Sequence, residues 1–489
     1  MKNIKKVSCF GAGYVGGPTM AVFASKHPQI QFTIYDIDKQ QIEKWQQSET
    51  LPVFESGLSL LLEETRNKNL SFTCDINQAL DDVDIIFLAV NTPIKQSLSK
   101  KESYCFDIKY IEACTRSIAE YFDQKKLNKI ITLVEKSTVP VLTSKHIYEI
   151  LQENQNFFQK IIIFNQIISF ILKQYFIYRY IQKQNIYGVL FINIRSAIND
   201  LLNPERVIIG GGNSPEEQNS TNMLKELYEK WVNKDKIILT NIVSSELSKL
   251  VSNSFLAQRV SSINSITALC EATGANIEEV KKCIASDSRI GSKFLNCSVG
   301  FGGSCFKKDV LGLAYICESR GLTEVADYWK QVVKMNEYQK QRFSKLIIEK
   351  MYNNLDNKII TIFGVSYKKN TNDVRDSASI TVAVELLKEG AVLHIYDPLA
   401  KFDSMKKEMQ RQEIYNDCYD ARIKFFEDGE SASINSHAII ILTEWEDFKQ
   451  CKYERMFKKM KRPSFIFDGR NLLNREEIEQ IGYAYIKLG

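Results

Sequence analysis

A glycine-rich turn between a short apolar strand and a helix constrains this chain more than any other feature. Residues 7–10, VSCF, predict a buried strand that runs into GAGYVG at 11–16, and an apolar helical stretch follows. A second apolar run at 31–35 ends in Asp36, about 20 positions after the last glycine. Strand, G-x-G-x-x-G, helix and acidic residue together are typical of a dinucleotide-binding βαβ unit. The sequence therefore predicts an α/β doubly wound domain at its N-terminus.

Each glycine of this turn has a physical task. Gly11 permits the tight turn, Gly13 lets the backbone approach a pyrophosphate, and Gly16 allows close packing of the helix. The helix N-terminus offers N–H groups to the phosphates. Asp36 would accept hydrogen bonds from the adenosine ribose and repel a 2′-phosphate, so NAD is predicted rather than NADP.

Two further buried strands end in loops that are expected to face the same ligand. The run at 84–90 is followed by NTP at 91–93, and the run at 129–134 is followed by EKSTVP at 135–140. Ligands of doubly wound sheets lie at the carboxyl ends of the strands, which favours a cofactor role for both loops. Plain strand-to-helix turns are the alternative.

Past residue 243 the pattern changes. Apolar residues at three- and four-residue spacings predict a long helix over 244–273, and more helices follow to about residue 354. A second α/β unit begins at 358–364, with later strands at 392–396, 438–442 and 465–467. This unit lacks G-x-G-x-x-G and carries Tyr367, Lys368 and Arg375 instead. It is predicted to bind a phosphate ligand other than a second dinucleotide.

The segment GFGGSCFKKD at 300–309 contains the strongest candidate for covalent chemistry. A glycine-rich loop places Cys305 at the start of a predicted helix, where the helix N-terminus, Lys307 and Lys308 would favour the thiolate. Asp309 lies one turn later on the same face. The alternative for Cys305 is a buried structural thiol.

An ammonium and an amide are expected to point into one cleft from the long helix, because Lys249 and Asn253 are four residues apart. For Lys249 alone, a solvated helix position is the alternative. An NAD site and a positioned thiol together predict oxidation through a covalent acyl intermediate. If the same site first makes the aldehyde, an alcohol becomes a carboxylate and two NAD are consumed.

Composition excludes several classes of partner. The 64 basic and 59 acidic residues give a net charge of only +5, and we expect no nucleic-acid partner. Eleven cysteines without a C-x-x-C pair, and four dispersed histidines, predict reduced thiols and no metal site. The N-terminus has no apolar stretch of a signal peptide, and the chain is predicted to be cytoplasmic.

The chain resembles the UDP-glucose 6-dehydrogenase family, within the UDP-glucose/GDP-mannose dehydrogenases, in its animal-like form. The resemblance covers all but about 157–195 and rests on GAGYVGGP (11–18), EKSTVP (135–140), SSELSKL (244–250), NSFLAQR (253–259), VGFGGSCF (299–306) and FDGR (467–470). It implies two Rossmann-like doubly wound domains joined by a long helix and a central helical domain, with boundaries at 1–242, 243–354 and 355–489. It also implies NAD-dependent conversion of UDP-glucose to UDP-glucuronate, no membrane partner, and a homo-oligomer (dimer or hexamer) formed through the central domain.

The same resemblance implies roles for individual residues. Cys305 would be the nucleophile, Lys249 would stabilise the oxyanion, and Asp309 with Thr138 and Asn253 would order the water around the reacting carbon. The implied NAD contacts are Gly11, Ala12, Gly13, Tyr14, Val15, Gly16, Asp36, Ala89, Val90, Asn91, Thr92, Pro93, Ser137, Thr138, Val139, Cys305, Phe306, Lys307, Lys308 and Arg375. The implied sugar-nucleotide contacts are Lys249, Leu250, Val251, Ser252, Asn253, Asn296, Cys297, Ser298, Val299, Gly300, Phe301, Gly302, Tyr367, Lys368 and Arg470, with Arg289 reaching over from a neighbouring subunit.

The sequence departs from the family in one important place. The family's NPEFLAEG segment, whose first Glu is its general acid/base and whose second Glu contacts the cofactor, is missing here. Residues 154–199 contain neither Asp nor Glu, and the nearest carboxylates are Glu153 and Asp200. A smaller departure is Gln41, where animal members usually have Arg. The chain is therefore predicted to fold like the family and to turn over slowly or not at all.

In place of that segment, 157–195 is built mainly from Ile, Phe, Tyr, Asn, Lys and Gln, which make up 32 of its 39 residues. Polar residues interrupt every window long enough for a transmembrane helix. A genuine insertion with an amphipathic helix is a second interpretation. The preferred one is translation of an unspliced, A/T-rich intron, in which residues 187–193 would still supply the missing sheet strand.

Two other functions stay open from the sequence. The enzyme could oxidise another nucleotide sugar, such as GDP-mannose or UDP-N-acetylmannosamine. Alternatively, if 157–195 is a real part of the protein, the chain could be a non-catalytic nucleotide-binding subunit that assembles with an active relative.

Overall fold

The computed structural model describes residues 4–47, 51–53, 55, 57–96, 104–125, 130–137, 139–152, 161–168 and 197–489. They belong to two compact units, Met1–Leu250 and Val251–Gly489. Each unit contains a largely parallel sheet with helices, which confirms the predicted α/β class.

The N-terminal unit is organised around one large sheet. Its strands are β1 (Lys6–Phe10), β2 (Gln31–Tyr35), β3 (Leu70–Thr73), β4 (Ile85–Leu88), β5 (Ile94–Gln96), β6 (Tyr104–Phe106), β7 (Ile131–Glu135), β8 (Ile161–Ile168), β9 (Val207–Gly211) and β10 (Ile237–Asn241). Its helices are α1 (Gly16–Lys26), α2 (Lys39–Gln46), α3 (Leu58–Thr65), α4 (Ile76–Leu80), α5 (Lys109–Lys125), α6 (Thr143–Gln152), α7 (Ala197–Leu202) and α8 (Pro215–Glu229). The long helix α9 (Ile242–Thr273) begins here and continues past the boundary at Leu250.

Strand order in this sheet is β10-β9-β8-β7-β4-β1-β2-β3, and β5 and β6 form a separate antiparallel pair. The run β3-β2-β1-β4 is the Rossmann order, with its switch point between β1 and β4. Strands β4 and β7 are buried along their whole length, which explains why both read as continuous apolar runs.

The position between β7 and β9 corrects one expectation. It is filled by β8, which pairs in parallel with β7 and antiparallel with β9. Residues 187–193, the expected strand, lie outside the described part of the chain. Both runs are largely apolar, and composition alone could not rank them. The described piece of 157–195 is thus a strand rather than the amphipathic helix of the insertion hypothesis.

The C-terminal unit continues α9 with further helices and ends in a second sheet. Its helices are α10 (Ile277–Ala285), α11 (Phe306–Ser319), α12 (Thr323–Lys350), α13 (Ala378–Lys388), α14 (Phe402–Arg411), α15 (Gly429–Ala432), α16 (Glu446–Lys449), α17 (Tyr453–Lys459) and α18 (Arg475–Ile481). Its strands are β11 (Ile359–Phe363), β12 (Val392–Tyr396), β13 (Ile423–Phe426), β14 (Ala438–Ile441), β15 (Phe465–Asp468) and β16 (Ala484–Lys487). All are parallel, in the order β13-β12-β11-β14-β15-β16, which is again the Rossmann order.

Each unit buries more than one cluster of apolar side chains. In the first, Phe23 of α1 packs edge-on against Phe32, Phe87 and Tyr228, all fully buried. Aromatic pairs of this kind add to the free energy gained by burying apolar area. Among the residues that the structure describes, no helix is both long and apolar enough to cross a bilayer.

Candidate active site

The turn after β1 has the geometry that a dinucleotide requires. Gly11 has a φ of 111°, its N–H donates to the Tyr35 carbonyl at 2.9 Å, and a β-carbon there would lie 2.5 Å from the Ala89 oxygen. At Gly16 a β-carbon would lie 2.0 Å from the Gly11 oxygen, so glycine is needed for α1 to start this close. No described atom lies within 4 Å of the equivalent position at Gly13. That space leaves the backbone accessible to a pyrophosphate.

The first turn of α1 also suits an anion. No side chain caps this helix at Val15, and the turn contains no acidic residue. The first N–H groups of a helix lack intrahelical acceptors and carry partial positive charge. The residues around this turn therefore fit the pyrophosphate of NAD.

Asp36 lies half-buried at the end of β2. One carboxylate oxygen accepts the Ala12 N–H at 2.8 Å and the other accepts the Asp38 N–H at 3.0 Å. Each oxygen can accept a further hydrogen bond from a ribose hydroxyl. Gln41, where animal relatives usually have Arg, donates instead to the Ala12 carbonyl at 2.9 Å, and Trp45 donates to the same oxygen at 2.7 Å.

Hydrogen bonds join the loops that follow β4 and β7 to each other and to β1. Ala89 donates its N–H to the Phe10 carbonyl at 2.8 Å, and the Ser137 hydroxyl donates to the Val90 carbonyl at 2.7 Å. Thr138 lies outside the described residues. The other predicted cofactor residues of this unit are in the same two loops or the glycine turn: Asn91, Thr92, Pro93, Val139, Tyr14 and Val15.

Two buried charged residues, Glu135 and Lys136, lie at the end of β7, and the sequence did not single them out. Burial raises the pKa of Glu135 well above its usual value. Burial also lowers the pKa of Lys136 to about 7; the nearby Cys9 opposes that shift and Lys249 adds to it. The amine of Lys136 therefore lies near Lys249, the residue predicted to stabilise the oxyanion.

A third buried charge, Glu246 of α9, ties this region together. Its carboxylate accepts the N–H of Leu142 at 2.6 Å and of Ser144 at 2.8 Å, at the start of α6. Glu246 is one helical turn before Lys249. It therefore links the helix that carries Lys249 to the end of the loop that contains Thr138.

In the C-terminal unit, Cys305 is exposed at the N-cap position of α11, with the Ser304 hydroxyl 3.7 Å from its sulfur. The flanking lysines pair with carboxylates: Lys307 with Glu337 at 3.7 Å and Lys308 with Asp309 at 3.4 Å. Cys283 and Cys418 are also exposed, whereas Cys9, Cys270, Cys297 and Cys317 are buried. Cys305 is therefore available to a ligand where those four thiols are not.

The structure brings together Asp309 and Asn253, two residues that the resemblance assigns to the same water. The fully buried Asp309 accepts a hydrogen bond from the Asn253 side-chain amide at 2.5 Å. Its second oxygen has no hydrogen-bond donor among the described residues and faces Lys308. Because buried carboxylate oxygens need donors, this atom is suited to hold a water molecule.

The glycines before Cys305 pack against the loop after β11. A β-carbon at Gly302 would lie 2.5 Å from the Asp376 oxygen, and one at Gly303 would lie 2.8 Å from the Tyr367 ring. The Gly303 N–H donates to the Arg375 carbonyl at 2.8 Å. The two loops, each of which the resemblance assigns partly to the sugar nucleotide and partly to NAD, are thus in direct contact.

Residues 296–301 are held by three buried amides that the sequence did not reveal. Ser298 donates its N–H to Asn264 at 2.9 Å, and its carbonyl accepts from Gln339 at 2.9 Å. Asn336 exchanges two hydrogen bonds with the backbone of Phe301, at 2.8 and 3.0 Å. The amides could have been noticed in the sequence as Asn and Gln among the apolar residues of predicted helices. A buried amide needs hydrogen-bond partners, so such residues indicate a contact with another segment.

The predicted phosphate-binding side chains differ in exposure. Arg289 is largely exposed and pairs with Asp287, and Arg375 is half-exposed and pairs with Asp373. The ammonium of Lys368 lies 5.5 Å from the centre of the Tyr367 ring. Arg470 is mostly buried, and its Nε donates to the Leu442 carbonyl at 2.7 Å.

The acid/base Glu that the resemblance leads one to expect is absent from the sequence that follows β8. This strand ends at Ile168, and the next carboxylate in the sequence is Asp200 on α7. Glu153 lies outside the described residues. Among the described residues, no group of three or more Asp, Glu, His or Cys side chains is placed to hold a metal ion.

Comparison with known proteins gives consistent results along the whole chain. Models of the UDP-glucose/GDP-mannose dehydrogenase family match residues 5–232 (NAD binding domain), 243–338 (central domain) and 361–475 (UDP binding domain). The chain is 44% identical to the UDP-glucose 6-dehydrogenase of Gallus gallus, over 100% of this chain and 94% of the relative. It is also 44% identical to that of Drosophila melanogaster, over 99% and 96%. A solved UDP-glucose dehydrogenase from Pyrobaculum islandicum has the same fold, with a TM-score of 0.78, 24% identity, and coverage of 100% and 98%.

Proposed function

The chain belongs to the UDP-glucose/GDP-mannose dehydrogenase family, and on that premise we propose that it oxidises UDP-glucose to UDP-glucuronate with two NAD. The observation that supports this most strongly is the 44% identity to UDP-glucose 6-dehydrogenases over the full chain. The exposed Cys305 beside the Asn253–Asp309 pair supplies the chemistry that such a reaction needs.

The N-terminal unit holds NAD, which would accept hydride from the substrate carbon. Gly11, Gly13 and Gly16 shape the pyrophosphate turn, and Asp36 receives the ribose hydroxyls. Side chains of the protein then react with, or stabilise, the carbon that is oxidised. The Cys305 thiolate adds to the aldehyde to form a thiohemiacetal, loss of hydride gives a thioester, and water hydrolyses the thioester to the carboxylate.

Three side chains assist these steps. The Lys249 ammonium stabilises the oxyanion that forms when sulfur or water adds to the carbonyl, an effect that is largest where water is excluded. Asp309 holds a water molecule through its second oxygen, and Asn253 fixes the other oxygen of the carboxylate. Thr138, which lies outside the described residues, is assigned a part in ordering water by the family resemblance.

The sugar nucleotide binds through the C-terminal unit. The loop at 296–302 supplies backbone groups, while Tyr367, Lys368 and Arg470 contact the nucleotide. Arg289 contributes from a neighbouring subunit. The cytoplasm, with reduced thiols, is the proposed location, and a dimer or hexamer formed through the central helices is the proposed assembly.

Turnover by the chain with residues 157–195 in place is slow, because no carboxylate follows β8 to act as general acid/base. Loss of such a group typically reduces the rate by a factor of about 10² to 10⁴. Binding of NAD survives, because the glycine turn and Asp36 are intact although the Glu that contacts the cofactor in the family is missing. Translation of an unspliced intron remains the preferred origin of 157–195.

The test is NADH formation, followed by absorbance, with UDP-glucose, GDP-mannose or UDP-N-acetylmannosamine as substrate. We expect slow NADH formation with UDP-glucose alone, and a rate about 10² to 10⁴ times higher when 157–196 is replaced by a segment that carries NPEFLAEG. A preference for another sugar nucleotide would refute the proposed substrate. A normal rate for the unaltered chain would refute the impairment.

The missing carboxylate also supports a second candidate, a non-catalytic nucleotide-binding subunit. Sequencing of the mature transcript across codons 150–205 separates the two. A transcript that contains codons for NPEFLAEG favours the enzyme, and one that encodes residues 157–195 favours the binding subunit.

A further inference from the structure

The FDGR segment at 467–470 has a polar residue that the proposed function leaves unused. Arg470 is assigned to the nucleotide, whereas Asp468 is fully buried at the end of β15 and cannot reach any ligand. A buried carboxylate is costly unless donors surround it. Its partners therefore indicate what it does.

Asp468 organises the loop that follows it. One oxygen accepts the Arg470 N–H at 3.0 Å, and the other accepts the N–H groups of Leu472 and Leu473 at 2.7 and 2.9 Å. The same oxygen accepts the Tyr485 hydroxyl, from β16, at 2.8 Å. Four donors on one carboxylate fix the backbone of residues 469–473, where charge-assisted hydrogen bonds are the stronger kind.

This loop in turn holds the segment proposed to contact the sugar nucleotide. The Gly469 carbonyl accepts the Val299 N–H at 2.9 Å, and the Asn471 amide donates to the Cys297 sulfur at 3.2 Å. Val299 and Cys297 lie in the 296–302 loop. One loop thus positions both that segment and Arg470.

The guanidinium of Arg470 is aimed from the same loop. Its Nε donates to the Leu442 carbonyl at the end of β14, and it lies 3.4 Å from the Glu444 carboxylate. The direction of the side chain therefore depends on where the 469–473 backbone sits, and hence on Asp468.

We infer that Asp468 and Tyr485 form a positioning pair for the sugar-nucleotide site, so that the last strand of the chain is required for UDP-glucose binding although it contacts no ligand. The inference rests on the proposed function and deepens it. The competing view is that the pair contributes only to stability, as any buried hydrogen bond does.

A matched pair of variants separates these views. Tyr485→Phe removes the hydroxyl that donates to Asp468. Tyr483→Phe removes a hydroxyl that is equally buried but donates to the Tyr453 carbonyl, at 3.0 Å, and has no link to the 469–473 loop. Titration calorimetry of the full chain with UDP-glucose and, separately, NAD is the measurement.

For Tyr485→Phe we expect the Kd for UDP-glucose to rise about tenfold, equivalent to ~1.4 kcal/mol, with the Kd for NAD unchanged. Tyr483→Phe should lower the melting temperature comparably and leave both Kd values within about twofold of wild type. Asp468→Asn, which keeps the shape of the side chain, should weaken UDP-glucose binding further.

Hydrogen exchange gives a second readout. Amides at 469–473 and 296–302 should exchange faster in Tyr485→Phe and not in Tyr483→Phe. Wild-type affinity in Tyr485→Phe, or equal weakening in both variants, would overturn the inference alone. Absence of UDP-glucose binding by the wild-type chain would instead overturn the proposed function, and the inference with it.

Discussion

The first two strands of each unit's sheet share the same turn geometry, but the two units do not present the same site. Gly11 donates its N–H to Tyr35 at 2.9 Å, and Gly364 donates to Tyr396 at 2.8 Å; both glycines have positive φ. The sheets share the order 3-2-1-4, counted from the first strand of each. Topology therefore does not decide which ligand each unit takes.

The carboxylates that follow β2 and β12 differ in how many hydrogen bonds they accept from the protein. Asp36 is half-buried and accepts two backbone N–H groups. Asp397 is buried and accepts five donors, which are the N–H groups of Val365, Ser366, Leu399 and Ala400 and the Ser366 hydroxyl. The first carboxylate can still receive a ribose, and the second is saturated by the protein.

The start of the following helix differs as well. Helix α1 begins at Gly16, directly after its turn, whereas α13 begins at Ala378 after a longer loop that contains Tyr367 and Arg375. In the first unit the N-terminus of α1 is available to a pyrophosphate. In the second unit, side chains of the longer loop before α13 lie at the corresponding position along the chain. One fold thus carries two sites through local changes.

Among the substitutions that test this comparison of the two units, the one at the Cys305 thiol is expected to have the largest effect. Cys305→Ser should lower formation of UDP-glucuronate by at least about a thousandfold, because the hydroxyl is a poor nucleophile without a base. Binding of NAD, assigned to the other unit, should be unchanged. Product analysis and calorimetry check both parts, and a Cys305→Ser variant that still makes UDP-glucuronate normally would remove the thiol from the mechanism.

Next in size is the glycine turn. Gly11→Ala should weaken NAD binding about a hundredfold and also destabilise the fold, because its β-carbon would collide with the Ala89 carbonyl. Gly13→Ala should weaken NAD binding to a similar extent without loss of melting temperature, since the protein leaves that position open. If Gly13→Ala binds NAD normally, the pyrophosphate does not lie on this turn.

Substitutions of Asp36 and Asp397 are expected to have smaller effects. The first should change NAD binding and not stability, and the second should do the reverse. Asp36→Asn should raise the Kd for NAD about tenfold with little change in stability. Asp397→Asn should leave NAD binding unchanged and reduce the free energy of unfolding by about 2–3 kcal/mol, because an amide cannot accept all five donors. Calorimetry and denaturant titration measure the pair, and similar outcomes for both variants would break the comparison.

The smallest effect concerns Lys136, whose pKa burial lowers from its usual 10.5 to about 7. Above pH 7 the folded chain releases this proton while the unfolded chain keeps it, so folding stability gains with rising pH up to about 10.5. The gain is at most about 1.4 kcal/mol per pH unit. Relative to Lys136→Met, the wild-type chain should therefore become more stable between about pH 7 and 8.5. Parallel stability profiles in denaturant would contradict a lowered pKa.

The sequence predicted those features that depend on residues close together along the chain. The glycine turn, Asp36, the long helix and the strands at 31–35 and 392–396 follow from short-range spacing, and the structure has them. The pairing of Asn253 with Asp309 was implied by the family resemblance, which assigns both to the water at the reacting carbon, and not by spacing along the chain. Asp397 was missed because its turn lacks G-x-G-x-x-G, although its geometry matches that of Asp36.

Other features depend on long-range packing. The three amides that hold residues 296–301 come from α9 and α12, and Tyr485 reaches Asp468 from the last strand. No spacing along the chain reports such contacts. The strand expected at 187–193 lies outside the described residues, and the sequence did not indicate β8, since two apolar runs suit one place in the sheet.

The most direct test of the thioester route is the number of NADH formed per UDP-glucose consumed, measured to completion with enzyme in high concentration to offset slow turnover. If one unit holds NAD while the other holds the sugar nucleotide and the thiol, two NADH and one UDP-glucuronate should form per UDP-glucose. One NADH with release of an aldehyde would contradict the thioester step. No UDP-glucose-dependent NADH, even after the NPEFLAEG segment is restored, would contradict the assignment itself.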